Sequence, residues 1–383
     1  QRRREIIAML PYSTQLIDEE DINAVIEILR SSHLTQGPKV EAFENAIADY
    51  VNAQNCVVFN SATSALHAAY SVCGITQNDE VVTTPISFVA TSNMIIALGG
   101  KPVFCDVKYD GNIDETRIEE LITSHTKAIV PVDFAGKPVA IDAINALAKK
   151  HRLLVIEDAS HALGSSVGTR KIGSNADMTI FSFHAIKPIT TGEGGAVVTN
   201  DAEFARKLRL FRSHGIIKKQ LWNSDMVSLG HNYRMSEFAA ALGLSQLHKL
   251  EKFIDTREQI ARYYDTRFSE HKLFSTLSID SSERSARHLY PLLLNPELHC
   301  VKEDIFTELH EKGIGVQVHY KPIYQNSFYK EHYGEIRLPN AEHFYRSELS
   351  IPCHQKMTLE DACMVADTVL DMMEKYAYRG CTF

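Results

Sequence analysis

The sequence has no apolar run close to the roughly 18 to 20 residues that a membrane-spanning helix needs, so it is read as a chain that does not cross a bilayer. It is short of positive charge. Its 40 Lys+Arg stand against 48 Asp+Glu, a formal net charge of -8, which lacks the basic footprint of a phosphate-backbone binder and argues against nucleic acid as a partner. It has no C-x-x-C pair. The seven cysteines (Cys56, Cys73, Cys105, Cys300, Cys353, Cys363 and Cys381) are odd in number and widely spaced, which suggests neither a disulfide framework nor a zinc site. They are expected to be reduced thiols in a cytoplasmic protein. The 17 histidines include no H-x-x-x-H and no Cys/His cluster, so no metal site is expected. Residues 1–8 carry three arginines and lead into only a short apolar run, less than a signal peptide requires. They are expected to be a non-native or disordered leader, with the natural chain starting at Met9.

What remains is an ordinary globular composition. Hydrophobic residues at 44% and charged residues at 23% of 383 are enough for a large core and more than one domain. From about Val57 to Thr199, short β-branched runs alternate with amphipathic stretches, the pattern of a mainly parallel sheet covered by helices. Seven strands are predicted, near residues 56–59, 80–83, 102–105, 128–132, 153–156, 179–183 and 196–198. Several are apolar at almost every position, as buried parallel strands are. Helices are predicted over 61–72, 141–151 and 202–211, with one long helix over 235–264. From about Arg267 the spacing widens, and strands are read at 287–292 and 315–320. The expected division is a large α/β domain over 9–250, then a connecting helix and smaller α+β domain over 251–383.

Ligands of open α/β sheets bind in loops at the carboxyl ends of strands. Three such loops carry chemistry here. Asn60-Ser61-Ala62-Thr63-Ser64 opens a helix directly after a strand, where free N–H groups and the helix dipole suit a phosphate; an ordinary N-cap reads the same way. Ile156-Glu157-Asp158-Ala159-Ser160-His161 ends a strand in two acids. Alternation lets only one of Glu157 and Asp158 face a given ligand, where a carboxylate could hold a cationic ring nitrogen; a helix-capping acid is the plainer reading. The third, Phe181 to Gly195, delivers Lys187 into a Gly/Thr-rich loop. A partly desolvated amine there would suit Schiff-base chemistry, although a single lysine is more often a solvated surface residue. Gly164-Ser165-Ser166-Val167-Gly168 fits the G-x-S-x-G of serine hydrolases, but it lacks the strand before and the helix after that a nucleophile elbow requires.

A phosphate turn, a strand-end acid and a lysine are the three things pyridoxal phosphate (PLP) needs. With Asn60–Leu66, Thr83–Thr91, Phe181–Thr199, Arg212–Ile216, Gly230–Arg234 and Val318–Tyr324, the sequence resembles the DegT family of sugar-nucleotide aminotransferases from about Met9 to Lys375. The resemblance implies the aspartate-aminotransferase (PLP type I) fold, a homodimer with a shared active site, and PLP as cofactor. Within the family the likeness is greatest to members that aminate a UDP-4-keto-6-deoxy-N-acetylhexosamine, with L-glutamate as donor, on the pseudaminic-acid route of flagellin glycosylation. It implies that Lys187 bonds to the cofactor and shuttles protons, Asp158 holds the ring nitrogen, and Phe88 stacks on the ring. Ala62, Thr63 and Ser182 would bind the phosphate, with Asn232 reaching it from the neighbouring subunit. His161 would lie near the ring hydroxyl, and His214, His319 and Tyr320 would line the sugar-nucleotide side. Another acceptor sugar of a bacillosamine-type pathway, and a non-catalytic PLP- or sugar-binding regulator, are the competing readings.

Overall fold

The computed structural model describes residues 9–377. The reading of residues 1–8 lies outside them. A seven-stranded sheet forms the centre, in the order Asn55–Phe59, Gly195–Thr199, Met178–Ser182, Leu154–Asp158, Thr126–Val130, Glu80–Thr83, Lys101–Phe104. Every neighbouring pair is parallel except those involving Gly195–Thr199, which runs antiparallel to both its neighbours. Six carboxyl ends and the amino end of Gly195–Thr199 therefore meet on one edge.

Alternation along the strands builds a core on each face. Cys56, Val58, Ala196 and Val198 pack with Phe43, Ile47 and Ala240 of the helices Pro38–Val51 and Glu237–His248. Val57, Phe59 and Val197 face the other way, onto Leu66, Ala69 and Leu208 of the helices Ala62–Val72 and Ala202–Arg212. Each large side chain so buried contributes about 1.5–3 kcal/mol over its exposed state. A separate core gathers around the three-stranded sheet Phe274–Thr276, Tyr290–Leu294, Glu348–Ile351 and the helices Lys302–Glu311 and Leu359–Ala377. The helix Leu250–Arg267 joins the two cores, with Phe253 and Ile254 in the first and Ile260 and Tyr264 in the second.

Three expectations fail here. The helix predicted over 235–264 is two, Glu237–His248 and Leu250–Arg267, divided at Lys249. The ammonium of Lys249 is drawn to Asp18, Glu20 and Asp21 of another helix start, a tertiary tether that periodicity does not register. Residues 315–320 form no strand: Gln317 makes a single antiparallel bridge to Ser350, beyond which the N–H of Val318 bonds to Gln317 Oε1 at 2.9 Å and that of His319 to Glu348 Oε2 at 2.5 Å. A side chain has taken the His319 donor that would have continued the ladder. Finally, Cys300 is disulfide-bonded, whereas Cys56, Cys73, Cys105, Cys353 and Cys363 are free. Spacing in sequence does not say which thiols a fold brings together. Among the described residues no helix is long and apolar enough to cross a membrane.

Candidate active site

The shared edge of the sheet places the three loops around one cleft of about 660 Å³, ample for a small-molecule site. At one end, Ser61 caps the helix Ala62–Val72: its hydroxyl accepts from the Ser64 N–H at 3.1 Å, and Ser64 Oγ accepts from the Ser61 N–H at 3.2 Å. The N–H groups of Ala62 and Thr63, in the first turn, have no helical acceptor and lie at the positive end of the dipole. Gly195 lies against them, since a Cβ there would come within 2.6 Å of Ala62 N and Cα. Ser182 pairs with Gly195 across the sheet and lines the same end of the cleft.

Asp158 closes its strand facing the cleft. Thr91 Oγ1 donates to its Oδ2 at 2.7 Å, and Ser160 donates to its Oδ1 from Oγ at 2.5 Å and from N–H at 3.2 Å. Glu157 points to the other face, where it accepts from Thr179 Oγ1 at 2.9 Å and burial pushes its carboxyl up to about 7. By alternation, Asp158 is thus the acid of the pair that faces the cleft.

Lys187 is buried at the floor. Burial pushes its amine down to about 7, with Asp158 opposing the fall and Arg257 adding to it. Its Nζ lies 3.3 Å from His288 Nε2. Burial, then Lys187 and His319, hold His161 well below the ordinary imidazole range, so it is neutral. The Ala135 N–H donates to His161 Nδ1 at 3.3 Å, which leaves the proton on Nε2, 3.2 Å from the Tyr320 hydroxyl. His319, pushed down to about 3 by burial and Lys187, bonds through Nδ1 to Ser350 Oγ at 2.9 Å. Phe88 lines the mouth and is 60% exposed, an aromatic face on which none of the described residues stacks.

Nine of the residues singled out in the sequence therefore share this cleft: Ala62, Thr63, Phe88, Asp158, His161, Ser182, Lys187, His319 and Tyr320. His214 and Asn232 do not. Both are exposed on the excursion after the helix Ala202–Arg212, where Ser213 bridges to Asn232 and the hairpin Ile216–Lys218/Ser224–Met226 projects. Sequence reasoning missed His288, and also Tyr12, which lines the cleft from the amino-terminal segment. It missed Thr91 as a partner of Asp158, although Thr91 ends a quoted motif. The serine of G-x-S-x-G, Ser166, pairs with Lys171 in a two-residue ladder followed by a turn, not a helix. It sits on no nucleophile elbow.

A dipole-backed cradle for phosphate, a carboxylate for a ring nitrogen, an open aromatic face and a desolvated amine fit PLP group by group. Fold and site together define a PLP enzyme of fold type I. The chain belongs to the DegT/DnrJ/EryC1/StrS aminotransferase family, which matches residues 15–370, and PLP is its cofactor. It is 52% identical over 376 residues to the UDP-4-amino-4,6-dideoxy-N-acetyl-beta-L-altrosamine transaminase of Campylobacter jejuni, covering 97% of this chain and 100% of that protein. Helicobacter pylori PseC, an aminotransferase involved in the biosynthesis of pseudoaminic acid, superimposes with a TM-score of 0.93 at 46% identity over 96% of this chain and 100% of its own. The PLP form of Streptococcus pneumoniae Spr1654 follows at a TM-score of 0.92 and 30% identity, over 96% and 99%.

Proposed function

We propose that the protein transfers an amino group from L-glutamate to C4 of UDP-2-acetamido-2,6-dideoxy-beta-L-arabino-hexos-4-ulose. The product is UDP-4-amino-4,6-dideoxy-N-acetyl-beta-L-altrosamine, for pseudaminic acid. The carrying observation is the convergence of Lys187 and Asp158 on one cleft in a chain 52% identical to a transaminase of that name. Bound PLP supplies an aldehyde that carries the amino group and a ring that spreads developing negative charge. The protein supplies the rest. The N–H groups of Ala62 and Thr63 and the Ser182 hydroxyl would hold the phosphate, Phe88 would cover the ring face, and Asp158 would keep the ring nitrogen protonated. Lys187, whose amine burial brings down to about 7, accepts a proton at Nζ from one carbon and returns it to another. His161, near the ring, bonds to Tyr320, which with His319 lines the acceptor side. An intact Lys187 and Asp158 speak against a non-catalytic regulator.

The acceptor is tested by converting the enzyme to its pyridoxamine form with L-glutamate and adding each C5-epimeric UDP-4-keto-6-deoxy sugar in turn. The L-arabino epimer is expected to restore the cofactor's original absorption at least about tenfold faster, a discrimination within reach of one pocket. Restoration by the D-xylo epimer alone would place the enzyme in a bacillosamine-type pathway and overturn the substrate reading.

We further propose a cytoplasmic homodimer in which His214 and Asn232 enter the partner's cleft. In support, the projecting hairpin leaves Leu221, Trp222, Met226 and Leu229 exposed, Trp222 at 83%. Sedimentation velocity should give a species of twice the chain mass, shifted toward monomer by Trp222→Asp; a monomeric wild type refutes the arrangement.

A further inference from the structure

Behind the cleft lies a histidine to which neither the sequence motifs nor the cofactor's needs assign a part. His288 is fully buried, and its Nε2, 3.3 Å from Lys187 Nζ, is the amine's hydrogen-bond partner among the described residues. Its ring also lies 4.5 Å, centroid to centroid, from that of His161. The other nitrogen, Nδ1, is buried without a hydrogen-bond partner. The contrast with His161 is informative. There a backbone N–H occupies Nδ1 and fixes the tautomer, whereas among the described residues no group occupies Nδ1 of His288, so its Nε2 is free to present a lone pair to the lysine.

The backbone that carries His288 is held in place. Arg287, one residue earlier, has a φ of 48°, a left-handed conformation that an L side chain adopts only when its surroundings impose it. Those surroundings are Arg257, whose Nη1 donates to the carbonyls of Arg287, His288 and Cys353 at 3.1, 3.2 and 2.7 Å. Ser165 contributes from the unused G-x-S-x-G segment: its hydroxyl accepts from the Ala286 N–H at 2.8 Å and donates to Gly136 O at 2.7 Å. Two separate elements thus fix the height at which the imidazole meets the amine.

We propose that His288 is the standing hydrogen-bond acceptor for the Lys187 amine whenever that amine is not joined to the cofactor. It turns the nitrogen's lone pair toward the cleft and steadies the ammonium while Lys187 holds a proton in transit. The proposal rests on the aminotransferase reading above and adds one residue to it. Burial, then Lys187 and His161, keep the imidazole itself neutral, as an acceptor must be. An ammonium donor makes a hydrogen bond roughly twice as strong as a neutral amine does, so the contact raises the basicity of Lys187 against the burial and the Arg257 charge that lower it. The other groups facing the amine are Asp158, whose charge raises its basicity, and His161 and His319, both held neutral.

The test uses the cofactor-free protein. The pH dependence of Lys187 acetylation by acetic anhydride is read by peptide mass spectrometry in wild type, His288→Phe and His288→Gln. His288→Phe fills the space without an acceptor and should move the midpoint down by about one pH unit, a tenfold change in proton affinity. His288→Gln offers a carbonyl oxygen and should stay close to wild type. An unchanged midpoint in His288→Phe, or equal displacement in both variants, overturns the proposal. Failure of the wild type to transfer amino groups to a nucleotide sugar would refute the functional reading and leave this midpoint unaffected.

Discussion

Lys187→Met should leave a protein that folds more stably than the wild type and transfers amino groups at least about a thousandfold more slowly. The kinetic half follows from the loss of both the nucleophilic amine and the proton carrier in one step. PLP should still bind through the phosphate cradle and Asp158, but borohydride should no longer fix it to the chain. The stability half follows from linkage. In the cofactor-free protein the Lys187 amine is pushed down to about 7 by burial, against an ordinary value of 10.5. Between those two pH values the unfolded chain holds a proton that the folded chain has released, so wild-type stability rises with pH across the window. Below about 7 the cost of the buried charge is complete; above about 10.5 it is gone. Methionine removes that cost. Denaturant unfolding should therefore show the variant ahead by a few kcal/mol, as an order of magnitude, at pH 6.5, with the gap closing toward pH 10. A gap independent of pH would mean that Lys187 is not desolvated, and turnover within tenfold of wild type would remove it from the chemistry.

Why Lys187 could be found in the sequence while His288 could not is a matter of what is local. All seven central strands were legible because buried parallel strands are apolar at nearly every position, and the turn at Ser61 and the acid at 158 are fixed relative to a strand end. Lys187 stands in a loop between two such strands. The partner of its amine comes instead from 101 residues away, and the contact depends on Arg257 and Ser165 reaching the segment around Arg287 from other elements. The amino-terminal strap is equally non-local: the Ser13 hydroxyl donates to Ile186 O at 2.9 Å, next to the lysine, and Tyr12 faces His319 with ring centroids 5.2 Å apart. No period or spacing announces contacts of this length. The break at Lys249 belongs to the same class, since Lys249 is tied to the acidic helix start at Asp18–Asp21 from across the molecule. His214 and Asn232 came from the family pattern alone, and a single chain leaves both outside the cleft.

Asp158→Asn separates the electronic role of the carboxylate from its structural one. The amide is nearly the same shape, and its partners can adapt. Thr91 Oγ1 also lies 2.9 Å from Ser87 Oγ, so it can turn its proton there and accept from the new amide, while the amide oxygen keeps the Ser160 hydroxyl. The fold should persist. What the variant lacks is a negative charge to hold a proton on the ring nitrogen, and turnover should fall by about a hundredfold or more, the usual cost of one preorganised electrostatic contact. A second effect follows from the same charge. The Asp158 carboxylate raises the Lys187 amine against burial, so the asparagine variant should release the Lys187 proton at lower pH than wild type. The acid limb of the pH–rate profile is therefore expected to move down as the maximum rate falls. Glu157→Gln is the control one residue away: Glu157 faces the opposite side of the sheet, and burial has already pushed its carboxyl up to about 7. Its neutral replacement should turn over within about threefold of wild type, since burial already favours the protonated carboxyl. If Glu157→Gln loses as much activity as Asp158→Asn, the two faces of the strand are not chemically distinct and Asp158 is not the ring's partner.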